Sequence, residues 1–129
     1  MHSTPKTLFS AKAVDGVSES QNVDNARHLV VAMMSDNSAA LRCRIVGSIQ
    51  DELPDFSAAR TPSNQWEYLQ LKDLQDGSSL NGDDGLLLSG TDDHRLFEVN
   101  TNGIKHLAAV VSSRTAGDIT VILRSFEED

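Results

Sequence analysis

The residues best suited to chemistry in this chain are carboxylates: Asp73, Asp76, Asp83, Asp84, Asp92 and Asp93 crowd two neighbouring stretches rich in Gly and Ser. Oxygens gathered in flexible loops are what a hard cation such as calcium takes, and Asp76, Asp83, Asp84 and Asp92 are the candidates. The spacing argues against a calcium loop. With Asp76 as first ligand, Ser78 stands at the third place but Leu80 at the fifth, where an oxygen is required. The same residues suit turns, since Asp and Gly satisfy backbone donors and allow positive φ, so the expectation is that no metal is bound. Paired carboxylates could also serve a glycosidase, but that chemistry wants an aromatic-lined sugar cleft, and Trp66 is the only tryptophan.

Other constellations are thinner. His2, His28, His94 and His106 show neither a His-x-His nor a His-x-x-x-His spacing, so a local zinc element is absent. His28 and His106 are expected at strand edges and His94 at a turn. Cys43 alternates with Leu41 and Ile45 and reads as a buried thiol, whose apolar surroundings raise its pKa and leave it inert. Neither a phosphate-cradling glycine loop nor a Gly-x-Ser-x-Gly elbow occurs. These readings exclude a recognisable catalytic centre and imply no cofactor and no enzyme. Arg42 and Arg44 share one strand face, which is either solvated or able to meet an acidic partner. Trp66 and Tyr68 could stack on a sugar, with the 73–93 carboxylates holding calcium, although a single tryptophan in a sandwich most often fills its core.

Composition narrows the classes further. In 129 residues, 11 Lys+Arg stand against 19 Asp+Glu for a net charge of −8, which opposes a sequence-independent grip on nucleic acid. One domain is expected at this length, and it can hold a core without staples. A lone cysteine cannot form an internal bridge. No stretch has the build of a signal peptide or approaches the ~18 apolar residues of a membrane helix, so the chain is expected to be soluble where it is made.

Short β-branched and apolar runs bounded by Gly, Asn, Asp, Ser or Pro recur along the whole chain. Strands are expected at 7–14, 28–34, 41–45, 66–71, 86–88, 95–99, 104–111 and 119–123, with 35–38 a turn and 116–118 the join of the last pair. Asn102-Gly103 between two runs signals a hairpin. Residues 51–64 hold two of the three prolines and read as a long crossing connection, tacked down by Phe56. The expected fold is all-β, an antiparallel β-sandwich or jelly roll with a Greek-key connection. Residues 1–6 are expected to form a flexible arm, 7–126 the single domain and 127–129 an acidic tail.

Three stretches carry a resemblance: Asp55-Phe56-Ser57-Ala58-Ala59 with Trp66-Glu67-Tyr68-Leu69-Gln70; Asp73-Leu74-Gln75-Asp76-Gly77-Ser78; and Gly90 to Gly103, with Asp92-Asp93-His94-Arg95-Leu96-Phe97-Glu98-Val99 at its centre. The chain, from about Leu8 to Phe126, resembles small virion structural proteins of tailed bacteriophages, of the capsid decoration or cement type. An aromatic residue tends to stand in such proteins where this chain has His106. The resemblance implies a non-enzymatic β-sandwich bound to the major capsid protein on the outside of the shell, stabilising it against internal DNA pressure. It implies a dimer or trimer that binds neither nucleic acid nor membrane, made in the host cytoplasm and residing on the virion surface. Contacts would fall on Phe9, on the connection with Phe56 and Arg60, and on the Arg42/Arg44 face. A head–tail adaptor, tail or fibre module, and a carbohydrate-binding sandwich, are the rival readings.

Overall fold

The computed structural model describes residues 5–24 and 26–127, the last two by their backbone only. Ten strands form one antiparallel sheet: β1 (Lys6–Lys12), β2 (Gly16–Val17), β3 (Gln21–Asn22), β4 (Ala26–Ser48), β5 (Glu67–Tyr68), β6 (Leu71–Asp73), β7 (Ser79–Leu80), β8 (Leu86–Ser89), β9 (His94–Asn100) and β10 (His106–Glu127). The all-β, antiparallel expectation holds. A sandwich would divide the strands between two sheets, whereas here a single hydrogen-bonded sheet contains them all.

Two very long strands organise it. β4 has 23 residues and β10 has 22, and they pair from His106↔Ser48 to Glu127↔Ala26. The turn expected at 35–38 and the join expected at 116–118 are instead bends inside these strands. Asn37 and Ser38 take φ of 61° and 57°, and Ser113 takes 55°, where the β10–β4 register slips between Ser112 and Asp118. Paired bulges of this kind kink a strand without ending it. Asp92 holds the kink by accepting the Ser38 and Ala39 amides at 3.2 and 3.0 Å, and the Asn37 side chain donates to Asp118 at 2.8 Å. Opposite them the chain comes so close that a Cβ on Gly117 would stand 2.4 Å from the Ala39 Cα.

The bend doubles the ribbon back. Thr101 donates its amide to Arg27 and Lys105 donates its amide to Ser48, at 3.0 and 2.8 Å. Four residues reach at most ~14 Å, while a straight strand from Arg27 to Ser48 would run ~70 Å. The two ends of β4 therefore face each other. Asn102-Gly103 makes a turn here, with Ile104 donating to Thr101 at 3.0 Å, but it joins no hairpin: β9 and β10 each pair with β4. The dipeptide dictates a local reversal and the partners are chosen by the long ribbon.

Period-two alternation explains what the closed sheet encloses. Leu29, Val31 and Met33 from the first half of β4 meet Leu41, Cys43 and Ile45 from the second, with Phe97, Val99, Leu107, Ile119 and Val121, in one buried cluster. A smaller cluster lies on the outer face of the second half, where Val46 and Ala108 are covered by Phe56, with Trp66 and Tyr68 packed alongside. The connection 51–64 is long and tacked down by Phe56 as expected, but it does not cross: it returns the chain to β5, which pairs antiparallel with the end of β4 that it left. Asn64 braces it, accepting the Asp55 amide at 2.8 Å and donating to the Asp55 and Ala59 carbonyls, and the Trp66 indole donates to Ala58 at 3.0 Å.

Candidate partner-binding site

The calcium candidates do not converge. Asp76 accepts the Ser78 amide, and hydrogen bonds from Ser78 hold its carboxyl below the usual carboxylate range. Asp92 caps the kink in β4, while the carbonyls of Asp83 and Asp84 accept from Arg44 and Arg42. Among the described residues no three His, Cys, Asp or Glu side chains come together in a metal-holding group. Asp93 and Asp73 bind Arg95 instead, each at 2.8 Å, and the Arg95 hydrogen bond lowers the Asp93 pKa. This ion-paired cluster closes one end of the core beside Met33.

The five residues proposed for partner contact have separate fates. Phe9 and Phe56 are only 5% and 7% exposed, so both are corrected from surface contacts to core residues. A strand with apolar residues on successive positions does not reveal which of them faces out, and the bulges in β1 turn Phe9 inward toward Val121. Arg42 and Arg44 tie the 81–85 loop to β4: Arg42 donates to the Asp84 carbonyl, and Arg44 donates to Asp83 at 2.5 Å and Ser112 at 3.1 Å. Arg44 also lies 4.9 Å from the Tyr68 ring centroid. Arg60 is exposed, pairs with Glu67 and covers both Trp66 and Tyr68, at 5.1 and 5.4 Å.

The two aromatic rings make no flat platform for a sugar. Trp66 and Tyr68 meet edge to face at 80°, with Arg60 over both. Cys43 is fully buried and its thiol is pushed up to about 12 by burial. His106 sits at the start of β10 with its ring 3.1 Å from the Asp51 carbonyl, His28 is on β4 opposite Asn100, and His94 begins β9.

Two surfaces emerge that residue types alone do not announce. The first is the outer face of the first half of the ribbon. Leu96, Ala32, Ile122 and Thr7 lie side by side across four strands, flanked by the rows His94–Met34–Thr120 and Glu98–Val30–Arg124. Leu96 is 52% exposed, and neither hydrophobic cluster of described residues extends over this face. The signal was the doubly apolar runs, Val30 to Met34 and Val121-Ile122-Leu123, which must place apolar residues on both faces of a strand. The second is a groove of about 490 Å³ between residues 17–20 and 53–57.

No protein-family model and no curated protein matches the sequence. Among solved structures, the fold is similar to that of the SPBc2 prophage-derived protein YomS, with a TM-score of 0.67 over 97% of this chain and 94% of that one, at 17% identity.

Proposed function

We propose that this chain is a non-enzymatic structural component of a tailed-phage particle, a decoration protein bound to the outside of the major capsid shell. The observation that carries the reading is the partly open apolar face on which Leu96 is exposed beside half-buried Ala32 and Ile122. One outer face of the same sheet is capped by the chain itself and the other is left for something else. Apolar residues laid out flat across paired strands suit docking onto a broad surface and form no pocket for a small substrate. The prophage origin of YomS, whose fold this chain shares along nearly its whole length, supports the phage setting.

Area sets the mode of binding. Four strands ~4.8 Å apart and about seven residues long make a face of roughly 440 Å², against the ~800 Å² per partner of a stable interface. A single copy holds weakly on this face. A dimer or trimer set on a repeating lattice multiplies such contacts, and avidity supplies the tight binding that one face lacks.

Quantitative mass spectrometry of purified particles whose genome encodes the chain tests this. Hundreds of copies per particle, lost on L96E, are expected. Six or twelve copies would move the protein to a head–tail adaptor or tail ring, and its absence from particles would end the structural reading.

A further inference from the structure

The groove beside residues 17–20 supports a second kind of contact, independent of the particle reading. Its apolar lining is Val17, Leu53, Pro54 and Phe56, and Leu53 has 57% of its surface exposed. Among the described residues the charged side chains that line it are Glu19 and Asp55, both acidic. Asp51 and Glu52 precede Leu53 in the chain, Asp51 being ion-paired with Lys105 at 3.7 Å. Along one wall Glu19 and Ser20 fall between the paired registers of β2 and β3, leaving that piece of backbone outside the ladder with β10.

An unladdered stretch of backbone, an apolar pocket and carboxylates at its mouth are the parts that take an extended peptide. The edge meets its main chain, the pocket an alternate side chain, and the carboxylates its cations. The volume of 490 Å³ lies within the ~300–1,000 Å³ of functional pockets. We propose that this groove docks an extended segment of a partner protein in which an apolar side chain is flanked by Lys or Arg. The charge of −8 on the whole chain attracts such a segment before contact.

The test titrates the ¹⁵N-labelled full chain with the capped octapeptide Lys-Ser-Lys-Leu-Val-Lys-Ser-Lys, and with the same peptide carrying Glu for every Lys. The lysine peptide should give saturable amide shifts at 17–20 and 53–57 and the glutamate peptide none. L53S and E19Q should each weaken affinity about tenfold. Both side chains are exposed, and matching urea midpoints confirm that the variants remain folded. Shifts confined to the 76–93 loops, no saturable shift at all, or an affinity indifferent to L53S would overturn the proposal. Broadening of the groove amides with protein concentration alone, without peptide, would assign the groove to a second copy and overturn it too.

Discussion

G117A compared with G103A measures the bend that closes this fold. Both glycines have left-handed backbone, φ 70° and 79°, and an alanine there costs about 1–2 kcal/mol of backbone strain. They differ in space. A Cβ at 103 meets nothing within 4 Å, whereas one at 117 falls 2.4 Å from the Ala39 Cα and 2.7 Å from the Asp36 carbonyl oxygen. Those neighbours are backbone, so the two strands must separate, and overpacking of this kind adds about 1–3 kcal/mol. G117A should therefore lose roughly 2–5 kcal/mol, a large part of the 5–15 typical of a domain, and G103A about 1–2. In urea, with a slope near 2 kcal/mol/M, the midpoint should fall by about 1–2.5 M for G117A and about 0.5–1 M for G103A. Equal losses would show that β4 and β10 do not approach each other at the kink, and the doubled-back ribbon would have to be abandoned.

F56A should cost about 3 kcal/mol, because it uncovers Val46 and Ala108, and Trp66 emission should shift to the red as its neighbour 6.4 Å away is lost; an unchanged spectrum would place the connection elsewhere. Cys43 should resist an aromatic disulfide reagent in the native state and react fully in urea, since burial pushes its thiol up to about 12; native-state reaction within minutes would contradict that burial. Asp93 has a folded pKa lowered first by its hydrogen bond from Arg95. Its contribution is present above the unfolded value and is lost as pH falls through the folded one, so D93N should flatten the decline of stability below about pH 4. Superimposable wild-type and D93N pH profiles would refute the ion pair.

Strand content was legible because β-branched runs between turn residues have few other uses. Leu41, Cys43 and Ile45 alternate inward as their spacing requires. The bend was not legible as a bend. Asp36-Asn37-Ser38 has the composition of a reversal, and left-handed Asn serves a bulge equally well. What separates the two is whether the flanking strands pair with each other or both with β10, and that depends on residues some 80 positions away. Asn102-Gly103 failed for the same reason. At the surface, aromatic type misled at Phe9, which was read as a contact and is buried; Phe56, read both as a contact and as the tack of its connection, is buried as the tack, while Leu96, adjacent to buried Phe97, is exposed by the parity of its strand.

The strand completed last, β10, borders β1, β2, β3 and β4, and Lys6 sits beside Leu123. A ribosome releases the early strands well before the one that zips them together exists. Until then they wait with open hydrogen-bonding rims, and final closure joins distant parts of the chain, which is slow. Newly made molecules should accordingly depend on holding chaperones or cool growth, and a chain cut before the second kink should be recovered from inclusion bodies.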